Sequence, residues 1–429
     1  MSNGGLIGIK NIPTTEVASG VWDLRNTYLY KLYGIWSGLS NSLELTIANP
    51  NAYGTSDGDQ FGREVYMHGT YILATSYLED DASGSIAGVA YLFSKTDGSL
   101  LHTFYNPNGY GTSAGDAFGV SVVMSDDYII ISANGEDSVE GDNSGKVYVF
   151  STLDYSLVHT IDNPNNVGTS VGDRFGVRIA VSGNYLIVSA AEEDLGSGTV
   201  YIYSITDWSL LHTLTNPNNY GTADSDYFGL GVAAFGDTLV VGAYGEDSSE
   251  AFNVGILYIF SLSSGILTHT ITSPDNLANI EFGINMRISE DYLVVTARAY
   301  SSYSGRVYVF TTSDYSLLYT INNPNAYGSG VGDSFGISIS LNDTYLLVGA
   351  FAEDPLGDLN SGVLYTFNIE SGSLVNTTIN PNSYGDAQAD NFGSSVFITP
   401  DNYALVSAPG ESSSEGTSSG TVYLYKILG

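Results

Sequence analysis

The sequence predicts an all-β fold: a β-propeller of seven four-stranded antiparallel blades closed into a ring. Three observations predict it. A Phe-Gly pair recurs seven times, at Phe61-Gly62, Phe118-Gly119, Phe175-Gly176, Phe228-Gly229, Phe282-Gly283, Phe335-Gly336 and Phe392-Gly393, at spacings of 57, 57, 53, 54, 53 and 57 residues. Each unit holds four short apolar runs, and the two ends of the chain hold complementary parts of one unit. Self-similarity at such a period marks one supersecondary unit used repeatedly.

In the second unit the four runs are FGVSVVMS, YIIISAN, GKVYVFST and SLVHTID. Val, Ile, Tyr, Phe and Thr dominate them, so they read as strands. The breaks between them carry Gly, Asp, Asn, Ser and Pro, which supply turns. No stretch within the repeats sustains a helical spacing of apolar residues. Four antiparallel strands per unit, named a to d from the axis outward, suit a propeller blade. The last unit runs through strands a, b and c, ending in GTVYLYKIL at residues 420–428, and has no strand d. Ahead of the first Phe-Gly, however, SLELTIANPN at residues 42–51 matches the strand d run SLLHTFYNPN. The amino-terminal strand is therefore expected to complete the carboxy-terminal blade and leave no unpaired edge. This divides the chain into an arm, residues 1–41, and a propeller, residues 42–429.

Composition narrows the function. The net charge is −34, from 12 Lys and Arg against 46 Asp and Glu, which argues against nucleic acid or an anionic membrane as partner. Cysteine is absent, so neither disulfides nor a thiolate metal site contributes. No segment has the length of a transmembrane helix. The start, MSNGGLIGIKNIPTTEV, lacks the basic-then-apolar pattern of a signal peptide. A chain rich in Gly, Asn, Ser and Tyr suits the outside of a cell, and a virion released by lysis reconciles that with the missing export signal.

The arm differs from everything after it. It carries Lys10, Arg25 and Lys31 against Glu16 and Asp23, with two of the three tryptophans. Within VWDLRNTYLYKLYGIW, the residues Trp22, Arg25, Tyr28, Tyr30 and Trp36 are of the types that anchor protein interfaces, and are the candidate partner-binding set. A cover packed beneath the propeller is the plainer alternative. GGLIGIKNIPTTEVASGVWDL followed by YGIW resembles the amino-terminal segments of tailed-phage virion proteins of tail-fibre or appendage type. That resemblance implies attachment to other virion proteins or to sister subunits.

Two acidic features recur. An Asp stands two residues before the Phe in six units: Asp59, Asp116, Asp173, Asp226, Asp333 and Asp390. A Glu-Asp pair follows strand b in five: Glu79-Asp80, Glu136-Asp137, Glu193-Asp194, Glu246-Asp247 and Glu353-Asp354; the seventh unit keeps Glu411 but has Ser412. The fifth unit has Ile280 and Tyr300-Ser301 at these places, and SPDNLANIEFG instead of NPNxYGT. The joint loss implies that the loops touch and form one local site per blade. One reading is that each carboxylate caps backbone N–H groups, as Asp does in turns. The other is a Ca²⁺ ion held by six to eight oxygens, for which Asp116, Glu136, Asp137, Glu140 and Asp142 around GEDSVEGDNSG are the best candidates.

The pattern GDAFGVSV…IIISANGED…SGKVYVF, with its close copy GDSFGISI…YLLVGAFAED…SGVLYTF, resembles the FG-GAP repeat of integrin α-chain propellers and of many bacterial and phage proteins. The resemblance implies a propeller used for adhesion or scaffolding rather than catalysis. Integrin propellers bind calcium through loops of alternating Asp and Asn, a pattern this chain lacks.

Four of the five histidines, His102, His159, His212 and His269, fall at equivalent places in strand d. Such places radiate around a ring and cannot converge on a metal, so they read as outer-strand packing. Tyr155, Trp208 and Tyr315 each follow an Asp at the c-to-d turn and are candidates for stacking on sugar rings, with packing between units the alternative. No Ser/His/Asp triad is legible. The leading expectation is thus a non-enzymatic phage virion protein. The second is a glycan- or receptor-binding, lectin-like propeller, and the third a hydrolase or lyase on the same scaffold.

Overall fold

The structure is a computed structural model that describes residues 41–428, apart from positions 83, 140, 166–167, 219–220, 250, 327–328, 383–384 and 415. The described residues form seven four-stranded antiparallel sheets. Blade 1 is Val65–His68, Tyr71–Ser76, Val89–Ser94 and Leu100–Tyr105, paired in chain order. Blades 2 to 6 repeat that order. Blade 7 takes Val396–Ile398, Tyr403–Ala408 and Thr421–Lys426 from the end of the chain, and Ser42–Ala48 from near its start. The closing pair runs from Ser42 opposite Lys426 to Ala48 opposite Thr421, as the divided last unit implies.

The core is not one mass but seven layers, each lying between two adjacent blades. Ile72 and Ala74 of blade 1 pack with Leu405, Val422 and Leu424 of blade 7, whereas Leu73, Ala90 and Leu92 turn to Val122, Ile129 and Ile131 of blade 2. Successive side chains on a strand point to opposite faces. Strands b and c are therefore apolar at both parities, because both faces of each sheet are covered. The seven Phe of the Phe-Gly pairs are all fully buried. Each meets the strand c tyrosine of its own unit at 5.4 to 5.9 Å between centroids, edge-on in six units, as in Phe61–Tyr91 and Phe282–Tyr308, and tilted in Phe118–Tyr148.

The glycine of the pair is where one blade touches the last. Gly62 has φ of +92°, and a Cβ there would lie 2.8 Å from Val422 and 2.9 Å from Ser407 of blade 7. A second close approach occurs ahead of strand c. At Gly88, φ is +84° and a Cβ would fall 2.1 Å from the carbonyl oxygen of Phe118 in the next unit. Backbone bonds join the chains at that seam, with Phe118 N–H donating to Ala87 O and Ala117 N–H to Ile86 O. Among the described residues no helix is long and apolar enough to cross a membrane.

If Ser42–Ala48 is the fourth strand of blade 7, removing residues 1–48 bares the edge of Thr421–Lys426. The truncated protein is expected to melt several degrees lower and to associate in solution, by scanning calorimetry and light scattering, because an unpaired edge templates further pairing.

Candidate functional site

The loops that join strand d to the next strand a, and strand b to strand c, lie together at one face of the ring, and the recurrent acids knit them. The first Asn of each NPN donates its side-chain amide to the Asp two residues before the Phe. The six distances are 2.9 Å for Asn49 to Asp59, 2.7 Å for Asn106 to Asp116, 2.8 Å for Asn163 to Asp173, Asn216 to Asp226 and Asn323 to Asp333, and 2.7 Å for Asn380 to Asp390. Each loop is thereby closed across ten residues by one pair of buried or half-buried side chains.

The Glu after strand b holds the same loop from the neighbouring connection. Glu79 Oε1 accepts from the backbone N–H of Ala52 at 2.8 Å and of Tyr53 at 3.2 Å, while Oε2 accepts the Tyr91 hydroxyl at 2.6 Å. Glu136 repeats this with Gly109 N–H at 2.7 Å and the Tyr148 hydroxyl. Tyr201 donates to Glu193, Tyr258 to Glu246, Tyr365 to Glu353 and Tyr423 to Glu411. All six glutamates are fully buried. In four units the Asp beside the Glu closes its own loop. Asp80 accepts from Ile86 N–H, Asp137 from Asn143 N–H, Asp247 from Asn253 N–H and Asp354 from Asn360 N–H, at 2.7 to 3.0 Å.

The fifth unit exchanges these parts rather than losing them. Asp275, in the third place of SPD, lies on the d-to-a loop and accepts the Tyr308 hydroxyl at 2.5 Å and Arg306 at 2.6 Å. Arg306 in turn stacks 3.7 Å from the ring centre of Tyr300, the residue in the glutamate's place. The acid has moved from one loop to the other while the tyrosine clamp persists. Position-by-position reading of the acids alone saw only the loss. The signal that could have found the exchange is the strand c tyrosine, retained in all seven units.

Of the calcium candidates, Asp116, Glu136 and Asp137 each bind protein donors, and Asp142 is exposed, contributing its backbone carbonyl to Gly172 N–H. Glu140 lies outside the described residues. Among the described residues no three His, Cys, Asp or Glu side chains are grouped so as to hold a metal ion. The arm set, Trp22, Arg25, Tyr28, Tyr30 and Trp36, also lies outside the described residues.

The sugar-stacking candidates sit at the seams between blades. Tyr155 lies 4.8 Å from the ring of His102, Trp208 stacks 5.5 Å from His159, and Tyr315 lies 4.8 Å from His269; each histidine belongs to strand d of the preceding blade. All three aromatic residues are half-buried, at φ of 57° to 60°. That left-handed conformation costs a side-chain-bearing residue about 1–2 kcal/mol, so the contact must offset it. At other seams a glycine takes the place, and a Cβ on Gly265 would come 2.9 Å from His212.

Burial sets the titration of the loop acids. It pushes the carboxyls of Asp59 and Asp173 up to about 6, and those of Asp116, Asp226 and Asp390 up to about 7, against the lowering effect of the Asn amide. Glu79 is likewise pushed up to about 7. The turn acids Asp97, Asp154, Asp207 and Asp314 go the other way, held below the usual range by the serine hydroxyl two residues on.

Two outcomes are expected. Glu79→Ala strands the Tyr53 N–H and the proton of the buried Tyr91 hydroxyl, leaving Ala52 N–H with the Tyr91 oxygen alone, and is expected to cost on the order of 3 kcal/mol in chemical denaturation, with Glu79→Gln far milder. A folded pKa above the unfolded one means that the native state binds the extra proton. The loop acids thus favour the fold at low pH, and their contribution fades as pH rises through 6 to 7. Tm is expected to rise when pH falls from about 8 to about 5, and to fall again below about 4, as the turn acids lose their charge.

The FG-GAP repeat profile matches residues 110–150, 168–203, 218–260 and 326–367. These segments fall in blades 2, 3, 4 and 6, and do not include the fifth unit with its exchanged acid. No curated protein matches the chain. Four of the seven blades thus hold segments that match the FG-GAP repeat, in a chain closed into a seven-bladed β-propeller.

Proposed function

We propose that this protein is a non-enzymatic virion component of a tailed phage, a fibre, appendage or decoration. In this reading residues 1–41 dock onto other virion proteins or sister subunits, and the propeller is the displayed part. The observation that carries the reading is the place where arm and ring join. Ser42 opens the outermost strand of blade 7, opposite Lys426, at the end of the blade away from the clamped loops. The chain thus enters the propeller at the face away from the clamped loops. Two further points support it. The recurrent carboxylates bind the protein's own donors, as a rigid platform needs and a catalytic cleft does not. The amino-terminal sequence also resembles virion attachment segments.

The test is a chain lacking residues 1–40, which keeps the closing strand. It is expected to fold with an unchanged circular-dichroism melt, yet to be absent from purified particles by mass spectrometry, while the full chain is incorporated. Normal incorporation of the truncated chain would sink the attachment role.

A further inference from the structure

The strands nearest the axis enclose a cavity of about 550 Å³. In a chain with 12 basic residues and a net charge of −34, four arginines line it: Arg63, Arg178, Arg287 and Arg298. Arg298 is paired with Glu281 at 2.8 Å. The other three have no carboxylate within 4.0 Å among the described residues, whereas Lys95, Lys146, Arg174 and Arg306 all do. Electrostatic chance would scatter so few cations among so many acids. Three of the four described cations without a carboxylate partner line this one cavity, the fourth being Lys426 on blade 7.

Their setting is built. Arg178 stands on strand a of blade 3, opposite Ser189, and Arg287 on strand a of blade 5, opposite Val294. Each donates one guanidinium N–H to the carbonyl of the residue before it, Arg178 to Val177 at 3.0 Å and Arg287 to Met286 at 2.9 Å. This bond fixes the head of the side chain. A guanidinium has five N–H donors, and the remainder have no protein acceptor among the described residues. Arg63, exposed, is steadied at the rim by the Tyr77 hydroxyl at 2.8 Å. One carboxylate, Glu64, lines the same cavity; it makes no ion pair within 4.0 Å, but its charge is felt by Arg178, Arg287 and Arg63 alike. Three unpaired cations against it leave an excess of positive charge. Burial and the neighbouring Arg178 both weaken the hold of Arg287 on its proton, while Glu64 strengthens it.

Like charges held close together repel, and a half-buried cation such as Arg178 or Arg287 without a close partner is costly. The missing component is an anion. We infer that the axial cavity is a binding site for a small oxyanion, a molecule bearing a carboxylate, sulfate or phosphate group, gripped by the guanidinium forks of Arg178 and Arg287 with Arg63 at the entrance. The planar fork matches these groups in bidentate fashion, which a lysine would not. The volume suits a ligand of the size of a sugar acid or sugar phosphate. The inference is independent of the virion reading, since it rests on the axis and not on the arm.

The test is isothermal titration calorimetry of the full-length protein at low ionic strength with sodium sulfate, inorganic phosphate and sodium glucuronate, with sodium chloride at matched ionic strength as blank. Saturable binding of at least one probe at one site per chain is expected. Arg178→Gln and Arg287→Gln should each weaken it at least tenfold, and Arg174→Gln, at a paired arginine off the cavity, should not. The strongest probe assigns the ligand's acid group. Should the glutamine variants fail to fold, the wild type decides: a saturable rise in Tm with the probe and none with chloride is expected. Absence of saturable binding by all three probes, or affinity unchanged in both folded cavity variants, would overturn the inference.

Discussion

A β-sheet that is apolar on both faces needs two neighbours, and that requirement governs this molecule. Strands b and c of every blade are buried nearly throughout, so each sheet must be covered on either side. A linear stack always leaves two terminal faces bare. A ring leaves none, provided that its last sheet is complete and its first can reach it. The strand Ser42–Ala48 satisfies both conditions, and the Phe-Gly pair allows the approach. Its Phe fills the layer between blades, while its Gly lets the backbone come within reach of the preceding blade.

The acidic loops follow from the same constraint. Close packing of wedge-shaped blades brings the d-to-a connection of one unit against the b-to-c connection of the next element, and backbone N–H groups are buried where they meet. Buried donors need acceptors. Glu79 and its five counterparts supply them, with the strand c tyrosine as a second arm of the clamp. The exchange in the fifth unit makes the requirement visible. Where the glutamate's place holds Tyr300, an acid stands at Asp275 and the Tyr308 hydroxyl has its acceptor there. What persists is the satisfied tyrosine, not the position of the charge.

Much of this was legible in the sequence, for physical reasons that can be named. The count of blades came from the period, and the ring closure from the mismatch between a truncated last unit and an orphan strand d ahead of the first. That the two acidic features share a site followed from their joint loss. What was not legible is which individual side chains of different units meet. The pairing of His102 with Tyr155, 53 residues apart, and of His159 with Trp208 depends on which turn faces which strand. The gathering of Arg63, Arg178 and Arg287 is harder still to read. They occupy different registers of three different blades, and only the curvature of the ring brings them to one axis. Repeat analysis rewards what recurs, and these arginines do not.

The ring holds only if the first strand of the propeller and the last belong to one sheet. Native-state hydrogen exchange tests it most directly. The amides of Ser42–Ala48 that pair with Thr421–Lys426 are predicted to exchange only with global unfolding, at the same opening free energy as their partners. Exchange of Ser42–Ala48 at the rate of an unstructured peptide, beside a protected Thr421–Lys426, would contradict it.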